Sequence, residues 1–234
     1  MADGRWLRAL AGGFVPVAVA GLVGCSGGGG APASSLAKAD ASGLFSAARL
    51  SAALLTRVNG VAAAAPAITG KYASLSAAIS GKQAIKAVQV SPSACVGAAS
   101  AGLGTAVLAQ APAAAVKFRV GGNAVSEVLV ATAADSASAV LAGRVPAGCA
   151  EYQGKVAGKT VKYGLTDKAV TGIGLQAREL NVRSGGSAPV NQWSLVYRGA
   201  GFVGTVTVVG PNASELAVRE LAKQAYAFAA KALA

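Results

Sequence analysis

The sequence predicts an α+β fold in which helices pack against one antiparallel sheet of about five to six strands and a C-terminal amphipathic helix closes the domain. Between residues 116 and 209, short stretches of alternating apolar and polar residues are separated by glycine-rich turns. Such stretches are typical of half-buried strands joined by hairpins. Residues 215–234 instead place apolar side chains at helical spacing. Hairpin-connected strands with helices before and after them indicate the α+β class.

The clearest strand signal is a hairpin in the middle of the chain. Over residues 116–120 apolar side chains alternate with basic ones, residues 121–123 form a glycine-rich turn, and a valine-rich strand follows at 125–132. This spacing indicates two neighbouring antiparallel strands. Four more strands are predicted at 160–165, 171–182, 192–197 and 202–209.

Helices are predicted on both sides of these strands. The first covers 36–58 and ends at residues 59–60, because an Asn-Gly pair supplies the left-handed conformation that ends many helices. A short helix covers 135–142, and Asn212 is expected to cap the last helix together with Glu215. The apolar face of the last helix is mostly alanine, which favours packing on the sheet over lying on a membrane. This face comprises Val218, Leu221, Ala222, Ala225, Phe228, Ala229 and Ala232.

The N-terminus has the features of a bacterial export signal. Two arginines precede a 15-residue apolar run at 9–23, which is shorter than the roughly 20 residues of a membrane-spanning helix. The run ends in Leu22-Val23-Gly24-Cys25. This tetrapeptide resembles the lipobox of bacterial lipoproteins, which implies cleavage after Gly24 and attachment of lipid to Cys25. An ordinary secretory signal with a chance cysteine is the alternative.

The lipobox resemblance also implies a domain plan and a location. Residues 1–24 form the signal peptide, residues 25–35 a flexible Gly/Ser tether, and residues 36–234 a single extracytoplasmic domain. A tether of this composition reaches roughly 17 Å. The protein is therefore expected on the outer face of the cell membrane, held there by its lipid.

Cysteine usage predicts a disulfide. With Cys25 assigned to lipid, Cys95 and Cys149 remain, and an even pair in an oxidising compartment is expected to be bonded. The alternatives are a metal site, for which two thiols are too few, and a redox pair, which usually shows Cys-x-x-Cys spacing.

The sequence shows no catalytic constellation. It contains no histidine, which excludes Ser-His-Asp and Cys-His catalysis and every histidine metal site. The carboxylates are scattered, and Glu127 is expected to form a structural ion pair with Arg119 or Arg178. No catalytic residue, metal or cofactor is therefore predicted, and the protein is not expected to be an enzyme.

Charge and aromatic residues suggest what the domain binds. The formal net charge is +12, and removing the signal leaves 19 basic and 8 acidic residues. In an exported protein this charge indicates anionic lipid or wall polymer rather than nucleic acid, or serves only for solubility. Trp193 and Tyr197 share a strand face, with Tyr163 expected nearby. These rings either line a pocket for a small apolar or anionic envelope ligand or simply belong to the core.

Three segments carry a second resemblance. Residues 92–95, 125–149 and 202–229 are similar to the extracellular sensor-type domain of actinobacterial membrane Ser/Thr kinases and of related mycobacterial lipoproteins. Such domains often carry two disulfides, whereas this chain can form only one, so the resemblance does not define the fold of residues 60–112. It implies sensing of a ligand or of the cell envelope. Together with the missing catalytic residues, this predicts a non-enzymatic domain that binds or senses a ligand of the cell envelope. The alternative is a structural envelope protein whose basic surface binds anionic wall polymer or lipid head groups.

Overall fold

A computed structural model describes residues 45–75, 89–95, 106–156, 159–185, 189 and 191–234 of the chain. The helices and strands, in chain order, are α1 (Ala47–Ala52), β1 (Arg57–Val58), β2 (Val61–Ala62), β3 (Ile68–Lys71), β4 (Gln89–Ser91), β5 (Pro112–Val120), β6 (Asn123–Ala131), α2 (Ala134–Ala142), β7 (Glu151–Val156), β8 (Lys159–Val170), β9 (Gln176–Ser184), β10 (Asn191–Gly199), β11 (Phe202–Val209) and α3 (Glu215–Leu233). Short 3-10 turns cover Ser93–Cys95 and Ala106–Leu108.

One large antiparallel sheet organises the domain. Its nine strands run in the order β3-β5-β6-β11-β10-β9-β8-β7-β4, while β1 and β2 form a separate hairpin. The α+β class and the C-terminal helix are confirmed. The predicted size of five to six strands is wrong, because two edge strands and β7 were not recognised in the sequence.

Helices cover both faces of the sheet and create two cores. On the first face, α1 and α3 cover a cluster that includes Phe118, Leu195 and Tyr197. On the second face, α2 covers a cluster that includes Val196 and Leu180. Adjacent residues of one strand, such as Leu195 and Val196, enter opposite cores because side chains alternate along a strand.

The Asn59-Gly60 pair forms a hairpin turn and does not end a helix. Asn59 and Gly60 have φ values of 48° and 79°, and Val58 pairs with Val61 across the turn. A two-residue hairpin loop of type I′ needs positive φ at both positions, which Asn-Gly supplies. The prediction of a helix through Val58 is therefore wrong, and α1 ends at Ala52.

The first part of the predicted strand at 171–182 is a loop, and the strand itself begins at Gln176. The last pair between β8 and β9 joins Val170 to Ala177, so the residues between them connect the two strands. Gly172 and Gly174 have φ values of 78° and 63°, which extended strands do not use. Alternating apolar residues suggested a continuous strand, but here Ile173 turns into the core as part of the loop.

Helix α3 lies across β10 and β11, as predicted, but two details differ. Ser214 caps the helix by accepting a hydrogen bond from Ala217 N at 3.2 Å, whereas the Asn212 side chain donates to Gly121 O. Phe228 is 40% exposed and Ala232 is also exposed. The buried stripe therefore ends on Ala229 and Leu233, because the helix turns the other two residues toward solvent.

A buried carboxylate fixes α3 to the sheet. Glu179 of β9 is 1% exposed, and its Oε2 accepts a hydrogen bond from Arg219 Nε of α3 at 2.7 Å. Lys168 Nζ of β8 lies 3.3 Å from its Oε1. Glu215 accepts from both cations at 2.9–3.0 Å. A charge that is buried in this way needs such partners, so the network sets how α3 sits on the sheet.

Gly204 makes room for the largest fully buried side chain of the first core. A Cβ at Gly204 would lie 2.2 Å from the ring of Tyr197, which faces it across β10 and β11. We expect Gly204→Ala to lower the free energy of unfolding by about 1–3 kcal/mol, because the ring must move within a filled core. Urea denaturation measures the change.

Gly164→Ala is the matched control for this variant. A Cβ at Gly164, also within a strand, would meet no atom within 4 Å. If Gly204→Ala proves as stable as Gly164→Ala, the close approach of Tyr197 to Gly204 is not a constraint on this core.

Within the described ranges, no helix is both long enough and apolar enough to cross a lipid bilayer.

Candidate functional site

The three aromatic residues predicted to line a pocket do not come together. Trp193 and Tyr197 lie in the first core, and Tyr197 is fully buried. Its ring meets those of Phe202 and Tyr226 edge-on, with centroids 6.4 and 5.8 Å away. Tyr163 instead packs against the second core on the opposite face of the sheet, because an intact sheet separates the two sets of side chains.

Tyr163 is one half of a stacked pair near the edge of the sheet. It lies directly opposite Tyr152 in the β7–β8 register, with ring centroids 5.1 Å apart. Burial, with a smaller effect from Tyr163, raises the pKa of Tyr152 to about 12. The pair packs as a neutral apolar contact throughout the physiological pH range.

The predicted disulfide between Cys95 and Cys149 is present. The two sulfurs are 2.10 Å apart, and both residues are buried in the second core. The bond joins the segment after β4 to the connection between α2 and β7. Cys25, the predicted signal and the tether lie outside the described residues, so lipidation remains a prediction.

Glu127 does not form the ion pair that the sequence suggested. It lies in β6, 1% exposed, and its Oε2 accepts a hydrogen bond from Leu55 N at 2.8 Å. Arg178, one of the two expected partners, binds Asp167 on the other face. Burial raises the pKa of Glu127 to about 7, although the bond from Leu55 opposes this shift.

A cleft opens on the second face, where α2 ends. It has a volume of about 340 Å³. One wall is residues 169–178, which form the end of the β8–β9 hairpin, and the other includes Leu141 and Arg144 at the end of α2. Leu175 is 62% exposed at its edge. None of the residues that line the cleft is acidic, whereas two are arginines.

Arg144 is held in place by the end of α2. Its Nη1 donates to the carbonyl oxygens of Leu141, Ala142 and Gly143 at 3.0, 3.2 and 2.9 Å. A cation at a helix C-terminus satisfies carbonyls that have no partner within the helix and interacts favourably with the helix dipole. The rest of this exposed guanidinium is left to face the cleft and the solvent.

Arg178 lies beneath the cleft and is 3% exposed. Its Nε and Nη2 donate to the two carboxylate oxygens of Asp167 at 2.5 and 2.7 Å, a two-pronged pair that fixes the guanidinium plane. Its Nη1 is buried and has no hydrogen-bond partner among the described residues. A buried donor without a partner is uncommon and calls for an explanation.

Asp167 joins this pair to the chain after α2. It also accepts a hydrogen bond from Val145 N at 3.1 Å. Burial alone would raise the pKa of Asp167, but the bonds from Arg178 and Val145 and the charge of Arg144 outweigh it and lower the pKa. The carboxylate therefore stays ionised, holds Arg178 in place and attracts the charge of Arg144.

A third arginine lies beside them under α2. Arg198 of β10 donates from Nη1 to Ser138 Oγ at 2.8 Å and to Ala134 O at 3.2 Å, which ties α2 to the sheet. This arrangement was not predictable from the sequence, because its three arginines stand on separate elements as isolated basic residues. No group of three potential metal ligands occurs among the described residues.

Comparison with solved structures gives a likeness in fold. Neither a protein-family model nor a curated protein matches the sequence. Among solved structures, the chain is similar to the extracellular domain of PknH from Mycobacterium tuberculosis, with a TM-score of 0.51 and 18% identity, over 81% of this chain and 97% of that one. The likeness supports the predicted resemblance at the level of the fold: this chain has the architecture of an extracellular domain of a mycobacterial kinase.

Proposed function

We propose that the protein is a membrane-anchored extracytoplasmic lipoprotein whose folded domain binds or senses a ligand of the cell envelope without catalysing a reaction. The observation that carries the proposal is the cleft beside α2, in which a fixed, exposed Arg144 lies above a buried Arg178 with an unused donor. Pockets that bind small molecules combine apolar walls with a few fixed polar groups, and this cleft does so.

Two further observations support the proposal. The fold is similar to that of the extracellular domain of PknH, which fits a domain that works outside the cytoplasm. The lipobox resemblance at Leu22-Val23-Gly24-Cys25 supports lipid anchoring, since a diacylglyceryl group and an amide-linked chain together hold a protein firmly on a membrane.

The proposal is tested by mass spectrometry of the full chain, expressed in and purified from a bacterial host that processes lipoproteins. Under denaturing conditions we expect a chain that begins at Cys25 and carries lipid. Under native conditions we expect a discrete additional mass that denaturation releases. A chain that retains residues 1–24 contradicts the anchoring. A native chain that holds no extra mass, even after exposure to an extract of envelope lipids, contradicts ligand binding.

The excess of basic residues favours a second candidate function. Lys155, Lys159 and Lys162 are all exposed on β7 and β8, with Lys155 and Lys162 on one face of the sheet and Lys159 on the other. A basic pair of strands suits a structural protein that binds anionic wall polymer or lipid head groups. Such binding weakens steeply as salt screens the charges. Sedimentation with anionic vesicles at rising salt, in the absence of any retained ligand, distinguishes this function from the first.

A further inference from the structure

We propose that the cleft binds a small organic monoanion, with its carboxylate on Arg144 and Arg178 and its apolar part against Leu141, Val170 and Leu175. The inference rests on the proposed ligand-binding function and names the chemical class of the ligand. It has three supports: the exposed arginine, the buried arginine, and the balance of charge and apolar surface around the cleft.

Arg144 is prepared to receive an anion. Three backbone carbonyls hold its Nη1, so the guanidinium is already ordered before a ligand arrives. The entropy that binding usually costs a long side chain is therefore reduced. Arginine also presents paired donors that match the two oxygens of a carboxylate.

Arg178 offers the second contact. Its Nη1 is buried without a partner among the described residues, and a carboxylate oxygen would supply the missing acceptor. This nitrogen is buried, so the anion contacts it after a slight shift of Gly143 and Arg144 together, which keeps the bond from Arg144 Nη1 to the Gly143 carbonyl oxygen. Gly143 leaves space for this movement, because it lacks the Cβ that would stand 3.5 Å from Nη1.

The charges around the cleft favour a single negative charge. Asp167 forms the ion pair with Arg178, which leaves the charge of Arg144 without an equal counterpart among the residues that line the cleft. The volume of about 340 Å³ is at the small end of ligand pockets. The leucine and valine side chains on its walls fit a short hydrocarbon chain better than a fully hydrated inorganic ion.

Nuclear magnetic resonance titration of the full chain, as the host processes it, tests the inference with hexanoate as the probe. Hexanol has the same chain without the charge, and inorganic phosphate has charge without the chain. We expect hexanoate to bind and the other two probes to bind about tenfold more weakly or worse. The inference is wrong if hexanoate does not bind, or if hexanol or phosphate binds as tightly.

Two variants with matched controls locate the contact. Arg144→Gln should weaken hexanoate binding about tenfold, while Arg57→Gln should not, although Arg57 is also exposed and also donates from Nη1 to a backbone carbonyl. Arg178→Lys keeps the charge beside Asp167 and removes Nη1, and exposed Arg183→Lys on the same strand is its control. Circular dichroism checks that each variant is folded. If Arg178→Lys does not fold, the comparison of Arg144→Gln with Arg57→Gln carries the test.

The outcomes separate this inference from the proposed function. A neutral molecule retained in the native mass spectrum would overturn the monoanion and leave ligand binding intact. Hexanoate binding that both Arg144→Gln and Arg57→Gln leave unchanged would also overturn it, because the anion would then lie elsewhere. A chain that binds hexanoate in the cleft but retains no envelope molecule supports the anion site and contradicts the proposed function.

Discussion

Reduction of the Cys95–Cys149 disulfide should lower the free energy of unfolding by about 4 kcal/mol. The bond closes a loop with a sequence separation of 54 residues, and opening it gives the unfolded chain many more conformations. The folded state loses little packing, since both cysteines stay buried in the second core. Urea denaturation of the oxidised and the reduced protein measures the difference.

The double variant Cys95→Ala/Cys149→Ala is the control for the reductant. It should unfold at nearly the same urea concentration as the reduced protein and should not respond to reductant. If the oxidised and the reduced protein unfold at the same urea concentration, the loop is already restricted in the unfolded state. The disulfide then does not stabilise the fold.

The protein should become less stable between pH 5 and pH 8, by about 3 kcal/mol, because of Glu127. Burial raises the pKa of this carboxyl from 4.5 to about 7, so the folded state keeps a proton that the unfolded state releases. The stabilisation is complete below the unfolded pKa and is lost as the pH rises through the folded pKa. Above the folded pKa, the carboxyl is ionised in both the folded and the unfolded state. The free energy of unfolding then no longer changes with pH through this group.

Glu127→Gln should remove this fall in the free energy of unfolding between pH 5 and pH 8. The amide keeps an oxygen that can accept the hydrogen bond from Leu55 N, but it does not ionise. The control is Glu220→Gln, at an exposed carboxylate paired only with Lys223 among the described residues. Asp167 and Glu215 have lowered pKa values, so their contributions are lost only in more acidic solution. If the free energy of unfolding depends on pH equally in Glu127→Gln and in the unchanged protein, a group other than Glu127 titrates.

Regular local patterns were predictable from the sequence, and pairings that depend on distant residues were not. The β5–β6 hairpin, α2, β11 and α3 follow from periodicity and turn residues over at most 20 positions each. By contrast, β7 contains Gly154 and three charged or amide side chains. It forms a strand because β8 and β4 lie beside it. The edge strands β3 and β4 are shorter still, with four and three residues.

The candidate site was less predictable than the fold. Cys95 and Cys149 could be paired by counting, because Cys25, the third cysteine, is predicted to carry lipid. The cleft depends instead on where α2 ends relative to the β8–β9 loop. The sequence predicts a strand for that loop, because Ile173 and Leu175 alternate with other residues as they would in a sheet. In the structure Ile173 is 2% exposed and Leu175 is 62% exposed, a contrast produced by the loop itself.

The short outer strands have a consequence for crowded surfaces. A sheet whose margins offer a full row of free backbone groups can add strands from neighbouring molecules, which leads to aggregation. Here β3 and β4 are only four and three residues long, and Pro92, which has no N–H, directly follows β4. Even when many copies are packed closely in one plane, a neighbour would find too few consecutive donors and acceptors along these margins to extend the sheet.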